Sequence, residues 1–287
     1  MLVTGSAGFL GSAVCARLCE REITTIGVDP LQSGSAAFQS FADDLSDTRR
    51  IAEYLSYYRV THIVHCGGIS SPLLGTPEEI VAVNTGGSIN LALAACTAGV
   101  QGFVFASSIA AMQPRNEYGC SKAATELALQ ALVRQQVTQF CTLRLGGIYG
   151  PGRTTPVLPH ELVAAALDGT SAQVSARAVG PYIYIDDAVE AVIKACFATG
   201  LGRLPYAILH PERVTALQLA QTVRNNIPSF RFEVSENAVD EPAPHFDTYA
   251  ASSHFDFNAI TDHRSGIASL IAWMSASKQP ARHAKSA

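Results

Sequence analysis

Charge is scarce in this sequence. Asp, Glu, Lys and Arg make up 15% of the 287 residues, and the formal net charge is -4. That balance offers neither a basic face for nucleic acid nor a patch for an anionic membrane surface. Lysine is scarcest of all, with only Lys122, Lys194, Lys278 and Lys285. The basic character gathers in a short tail, Lys278 to Lys285, which reads as a frayed end. Cysteine is present without a pattern. The seven are odd in number and scattered, and although Cys15 and Cys19 lie one helical turn apart, no second Cys or His pair completes a zinc site. No metal is expected, and the thiols read as reduced core residues of a cytoplasmic protein. No apolar run reaches the length of a bilayer span. No secretory leader is expected, because the chain opens directly into a strand and a glycine loop. These exclusions leave a small molecule as the expected partner.

Apolar residues are abundant, at 48%, enough to bury the core of one α/β subunit or two joined lobes. Met1–Val3 reads as a short strand, Gly5–Gly11 as a glycine loop, the stretch to Glu20 as a helix and Ile23–Val28 as a second strand. The alternation continues with strands at His62–Cys66, Gly102–Ala106 and Phe140–Leu145, and helices at Val81–Ala98 and Tyr118–Arg134. Strands alternating with helices specify a parallel sheet covered on both faces. A turn cluster, YGPGR at Tyr149–Arg153, marks a lobe boundary. Beyond it, Asp187 is expected to cap a helix running to Ala198, and Thr215 one running to Asn226. Pro205–Leu209 reads as a strand returning to the main sheet.

Gly5, Gly8 and Gly11 are spaced by three between the first strand and the first helix. Such a loop lets backbone amides approach a pyrophosphate at a helix N-terminus, where the dipole favours negative charge. The spacing alone arises by chance in roughly one chain in eight, so its placement carries the weight. A tight turn without a ligand is the alternative. Asp29 ends the second strand, where a carboxylate accepts from the adenosine ribose hydroxyls and repels a 2′-phosphate. No Lys or Arg follows before Arg49, so NAD is expected rather than NADP. The fold expected is α/β: a Rossmann-type doubly wound parallel sheet over 1–150, with returning segments around 180–210. Residues 151–179 and 211–287 form a smaller, interleaved C-terminal substrate lobe.

Tyr118 and Lys122 stand four apart at the start of a helix, on one face. A free phenol has a pKa near ~10; bringing it close to neutrality takes ~4 kcal/mol, within reach of a lysine ammonium in a dry cleft. The phenolate can then take a hydroxyl proton while hydride leaves the same carbon. Ser107 and Ser108 follow the strand Phe103–Ala106, and a hydroxyl there can bond the reacting oxygen. Serines at strand ends are more often turn formers.

Further strings join these: VDP at Val28–Pro30, DDL at Asp43–Leu45, HCGG at His65–Gly68, VNTGGSINL at Val83–Leu91, FVFASS at Phe103–Ser108, YGCSK at Tyr118–Lys122, LRLGGIYGPGR at Leu143–Arg153 and YIYIDDAVEA at Tyr182–Ala191. In this order, with TGSAGFLG at Thr4–Gly11, they resemble the extended short-chain dehydrogenase/reductase superfamily, in particular its NAD-dependent epimerase/dehydratase family. The resemblance covers residues 1 to 200 well and the rest loosely. It implies cofactor contacts from Gly5, Gly8, Phe9, Leu10 and Gly11, from Asp29, Asp44 and Leu45 around ribose and adenine, and from Cys66, Gly67 and Gly68 over the phosphates. Ser107, Tyr118, Lys122 and Leu145 follow on the nicotinamide side. It implies Ser108, Tyr118 and Lys122 as the catalytic set, with Tyr118 the base. It also implies a homodimer through the helices near Val81–Ala98 and Tyr118–Arg134.

Three departures bear on the substrate. The loop from Ser108 to Tyr118 is short. Gly147 stands where many nucleotide-sugar members carry Asn, and Gly180-Pro181 stands where they often carry Arg-Asp. These changes remove groups that hold a diphosphate and favour a smaller, sugar-like or hydroxy-acid substrate oxidised at a secondary alcohol. A nucleotide-sugar epimerase or dehydratase with tightly bound NAD stays open, as does a non-catalytic NAD-binding protein.

Overall fold

The computed structural model describes residues 1–32, 34–133, 138–201, 204–235 and 246–278. Arg134, where the second expected dimer helix was to end, and Lys285 of the basic tail lie outside them. In chain order the elements are β1 (Leu2–Thr4), α1 (Phe9–Glu20), β2 (Ile26–Val28), β3 (Gln39–Phe41), α2 (Thr48–Tyr57), β4 (His62–His65), α3 (Pro77–Val81), α4 (Ser88–Thr97), β5 (Gly102–Ser108), α5 (Glu117–Val133) and β6 (Gln139–Leu145). Then come β7 (Gly147–Tyr149), α6 (Leu158–Asp168), β8 (Ser171–Ser175), β9 (Val179–Gly180), β10 (Tyr182–Tyr184), α7 (Ile185–Phe197), β11 (Tyr206–Ile208), β12 (Val214–Thr215), α8 (Ala216–Asn226), β13 (Arg231–Ser235), α9 (Tyr249–Phe255) and α10 (His263–Lys278).

Two compact units divide the chain. The first comprises 1–146, 188–208 and 247–258; the second comprises 147–187, 209–246 and 259–287. Sequence analysis did not separate out 247–258. That segment belongs to the first unit because α9 packs on β11, where Tyr206 Oη and His254 Nδ1 are 2.8 Å apart and Phe255 meets the Tyr206 ring edge-on.

The first unit holds a seven-stranded, all-parallel sheet in the order β11-β6-β5-β4-β1-β2-β3. The central strands read as unbroken apolar runs because both faces are buried. On one face Leu2, Ile63, Phe103, Phe105 and Phe140 meet Ile51 and Leu55 of α2, Leu91, Ala92 and Ala95 of α4, and Leu129 of α5 in a single cluster. Val14 and Leu18 of α1 and Val189, Val192 and Ile193 of α7 are buried outside that cluster. Val3, Val64 and Val104 alternate with the strand residues of that cluster, so period-2 geometry turns them to the opposite face of the sheet, where they are also buried. Arg21 joins α1 to Glu190 of α7 at 2.6 Å. This is the doubly wound α/β architecture that the alternation implies.

Several expectations are corrected. The glycine loop is shorter than Gly5–Gly11, since α1 already begins at Phe9. β5 runs through Ser108, so Ser107 and Ser108 are its last residues and not a following turn. The helix expected from Val81 starts at Pro77, capped by a reciprocal Thr76–Glu79 box, and widens to a π-turn over Ala82–Gly87 before α4. Over Pro77–Thr97 it is 21 residues long with mean hydropathy 1.4 in its most apolar window. By length and composition it could therefore cross a membrane, contrary to the expectation that no run is long enough. Yet 39% of that window is buried within the molecule, in contact with α2 and α5.

The second unit carries three two-stranded pairings: β7 with β10, β9 with β12, and β8 with β13. Asp187 does not cap α7. It lies inside the first turn, and its carboxylate accepts from the backbone N–H of Ile260 and Thr261 at 3.3 and 2.9 Å. Thr215 does cap α8, with Gln218 completing the reciprocal box. Thr215→Ala should lower the unfolding free energy by about 1 kcal/mol, and Thr215→Asn, which retains a capping acceptor, by much less. Urea denaturation of the two variants checks this; equal losses would contradict it.

Candidate functional site

The candidate site of the first unit assembles at the C-terminal ends of β1, β2, β4 and β5. β1 ends on Thr4, and the chain turns at Gly5 with φ +69°. A Cβ on Gly5 would lie 2.7 Å from the Gly67 nitrogen, and one on Gly11 2.1 Å from the Gly5 carbonyl oxygen. Packing within the chain therefore demands both glycines. Gly8 meets only the Gly5 oxygen, at 3.2 Å. No side chain caps α1 at Gly8, and its first turn carries no acid. The Gly8 amide donates to the Gly5 carbonyl at 3.0 Å; the N-terminal turn of α1 that follows keeps its positive field and the room a phosphate needs.

Asp29 follows directly on β2, half-buried. Its Oδ2 accepts from Ala7 N in the glycine loop at 3.2 Å and its Oδ1 from Leu31 N at 2.8 Å. The carboxylate is thereby fixed beside the loop with lone pairs to spare. Asp44 is exposed and accepts from Ser46 N at 2.7 Å, while Leu45 is buried with its Cδ1 3.3 Å from where a Gly67 Cβ would stand. Cys66 and Gly67 bond back to β1 through Thr4, N–H to Thr4 O at 3.2 Å and N–H to Thr4 Oγ1 at 3.1 Å. Gly68 has φ +143°, and a Cβ there would sit 2.7 Å from Asn84 Oδ1 and 3.9 Å from Lys122 Nζ. The expected phosphate segment and the lysine are therefore neighbours.

His65 organises this junction, though sequence analysis does not single it out. Its Nδ1 is 2.6 Å from Thr4 Oγ1 and its Nε2 2.7 Å from Ser88 Oγ. Ser88 Oγ donates to the Asn84 carbonyl in a short bond, so it must accept from Nε2–H. Nδ1 is then the acceptor for Thr4. Every polar atom is satisfied only with a neutral ring, and burial, reinforced by the Lys122 ammonium, depresses the His65 pKa to about 3. Asn84, in the π-turn, holds Ile69 at both N–H and C=O and donates to Ser121 Oγ on α5. The strings HCGG and VNTGGSINL contain these residues. Their side-chain roles depend on contacts across 15 to 60 residues, which spacing does not reveal.

α5 begins where Asn116 Oδ1 accepts from Gly119 N at 2.9 Å. That cap sets Tyr118 in the first turn, half-buried. Lys122, one turn on, is 5% exposed. Its Nζ donates to Ala106 O at 3.0 Å and lies 6.0 Å from the Tyr118 ring centroid and 4.8 Å from that of Phe105. Burial brings its pKa down to about 8, against the opposing pull of Cys66 and Glu126. The two serines diverge, as consecutive strand residues must. Ser107 is buried and donates to Glu126 Oε1 at 2.5 Å, so its side chain is committed inward. Ser108 is half-buried and accepts from Ala110 N at 3.2 Å, which leaves its own proton to donate. Leu145, buried at the end of β6, is paired with Ser108 on one side and Ile208 on the other.

In the second unit, Gly147 and Gly180 face one side chain. Cβ atoms there would come within 3.0 and 2.0 Å of the Tyr182 ring. A small cavity is lined by Tyr149, Tyr182, Tyr184, His210, Glu212 and His263 among others, with no Lys or Arg in its wall among the described residues.

The His65 reading has a measurable consequence. An unfolded histidine titrates near ~6.5, so below that pH the unfolded chain takes up a proton that folded His65 refuses until about pH 3. Stability must fall with pH through this window, by about 2 kcal/mol at pH 5. Between pH 7.5 and 5, wild type should lose about that much more unfolding free energy than His65→Gln. Parallel profiles would contradict the buried neutral ring.

The model of the NAD dependent epimerase/dehydratase family matches residues 1–202. The probable polysaccharide biosynthesis protein EpsC of Bacillus subtilis is 26% identical over 242 residues, 78% of this chain and 40% of its own length. The UDP-glucose 4-epimerase of Azospirillum brasilense is 26% identical over 238 residues, 68% of this chain and 67% of that one. Among solved structures, the Thermotoga maritima UDP-glucose 4-epimerase with UDP-glucose superposes with a TM-score of 0.85 at 21% identity, covering 97% of this chain and 99% of that one, a likeness of fold. With a family match over the whole glycine-loop and Tyr/Lys region, the chain belongs to the NAD-dependent epimerase/dehydratase family of the extended short-chain dehydrogenases/reductases, and it is an enzyme that uses NAD.

Proposed function

We propose that the chain catalyses NAD-dependent oxidoreduction at a secondary alcohol of a small sugar-like or hydroxy-acid substrate, with Tyr118 as the base. The observation that carries this is the buried Lys122 ammonium, 6.0 Å from the Tyr118 ring and hydrogen-bonded to the strand that ends in Ser108. NAD, when bound, supplies the acceptor for the hydride of the reacting carbon. The N-terminal turn of α1, entered through the glycine loop, would hold its pyrophosphate, Asp29 its adenosine ribose and Lys122 its second ribose. The positive charge of Lys122 lowers the cost of a phenolate at Tyr118. That phenolate takes the proton of the substrate hydroxyl, and Ser108, with its proton uncommitted, donates to the same oxygen. The small-substrate part rests on Gly147 and Gly180. Tyr182 fills the space beside both, and the neighbouring cavity carries Glu212 and, among the described residues, no Lys or Arg, a poor match for a diphosphate.

A second reading is favoured by the relatives, several of which are UDP-glucose 4-epimerases: a nucleotide-sugar epimerase or dehydratase that regenerates NAD in each cycle. We also propose a homodimer through α4 and α5. Leu93 and Leu127 are 46% and 67% exposed on these helices, apolar surface that a second copy would cover.

Tyr118→Phe should keep NAD affinity and lose turnover by about 10²–10⁴-fold; turnover near wild type would remove Tyr118 as the base. Net NADH accumulation separates the first reading from the second, which predicts turnover without it. Asp29→Ala should narrow the preference for NAD over NADP in a titration of both cofactors, and an unchanged ratio would contradict the ribose assignment. Sedimentation at micromolar concentration should give a dimer, and Leu127→Glu a monomer; a wild-type monomer would contradict the interface.

A further inference from the structure

Glu126 is a carboxylate only 3% exposed that none of the steps above uses. It stands one helical turn beyond Lys122 on α5. Its Oε1 accepts from Ser107 Oγ at 2.5 Å and from Arg144 Nε at 3.0 Å; its Oε2 accepts from Arg144 Nε at 3.1 Å and Nη2 at 2.6 Å. A carboxylate stripped of water is costly unless matched by charge and hydrogen bonds. Here one guanidinium and one hydroxyl do both, tying α5 to β5 and β6. Lys122 bonds the carbonyl of Ala106, the residue before Ser107. Two successive turns of α5 are thus fastened to consecutive residues of β5 through side chains of opposite charge.

The surroundings of Lys122 sharpen the point. From β4 comes His65, which is neutral, and just beyond it Cys66, whose thiol burial pushes up to about 12. At the pH where Lys122 titrates, Cys66 therefore carries no charge, although its thiolate would favour the ammonium. β5 supplies the Phe105 ring and the Ala106 carbonyl. The π-turn supplies the neutral Asn84 amide, α5 supplies Tyr118, and Arg144 of β6 lies on the far side of the carboxylate. Among these groups Glu126 is the one anion.

We propose that Glu126 is a positioning residue for the cofactor: its carboxylate, clamped by Arg144 and Ser107, keeps Lys122 in the ammonium form that reaches the NAD ribose. The proposal rests on the assignment of Lys122 to that ribose, and the test separates the two. NAD affinity is measured calorimetrically on the full chain, without substrate, from pH 6 to 10. Wild type should bind with constant affinity at the acid end and lose it as Lys122 gives up its proton. In Glu126→Gln the loss should begin at least about half a pH unit lower, whereas Glu126→Asp should stay near wild type. Glu126→Gln/Arg144→Met removes both charges of the pair and guards against misfolding of the single variant. It should shift the same way by less, since the opposing guanidinium is gone. Tyr118→Phe should keep the wild-type profile. An unmoved profile in folded Glu126→Gln, or in the double variant, overturns the role of Glu126. A pH-dependent loss that persists in Lys122→Ala overturns the ribose assignment instead.

Discussion

The ends of β1 and β4 pass so close that neither tolerates a side chain between them. Gly5 and Gly67 meet at backbone distance, and the contact is sealed by Thr4, which accepts from the Gly67 amide while its hydroxyl meets His65. Much of the site hangs on that approach. It turns the chain at Gly5, which sets the entry of α1. It brings Gly68 against Asn84 and Lys122, and through His65 and Ser88 it fixes the π-turn that Ser121 and Thr125 of α5 grip. The loop that would cradle phosphates and the helix that carries Tyr118 are thus parts of one hydrogen-bonded junction.

The junction concentrates polar groups where water is scarce. Buried polar atoms cost stability unless each is matched, and the matching here is close to complete: a neutral His65 between two hydroxyls, Lys122 on a carbonyl, Glu126 between a guanidinium and a hydroxyl. Among the described residues the buried side-chain atoms without a hydrogen-bond partner are Ser6 Oγ in the glycine loop and, outside the junction, His160 Nδ1 and His263 Nδ1. Such a network is rigid for the same reason that it is costly to disturb, and rigidity is what a positioned base and a positioned serine require.

The glycine spacing, Asp29 and the Tyr118/Lys122 pair were legible in the sequence because each is local: a loop between strand and helix, a strand end, one helical turn. The central strands were legible because burial on both faces leaves continuous apolar runs. β3 was not, since Gln39–Phe41 is three residues long, largely uncovered and without alternation. Asp187 resembled a cap because a helix does start nearby. Its carboxylate instead serves backbone amides more than 70 residues away. His65, Ser88, Glu126 and Arg144 escaped for the same reason, because their meaning lies in pairings between elements. The family resemblance set Ser108 apart from Ser107; strand alternation and the buried Glu126, which takes the Ser107 hydroxyl, supply a physical reason that the sequence does not show.

The central claim is that the first unit seats NAD along the ends of β1, β2, β4 and β5, with Tyr118 facing the reacting end. A crystal structure of the chain with NAD tests it most directly. The pyrophosphate should lie over the N-terminal turn of α1 beside Gly8, the adenosine ribose on Asp29 and the nicotinamide ribose on Lys122, with Ser108 and Tyr118 beside the nicotinamide. NAD bound with its pyrophosphate away from Gly8, or with Lys122 still on the Ala106 carbonyl and out of reach of either ribose, would contradict it.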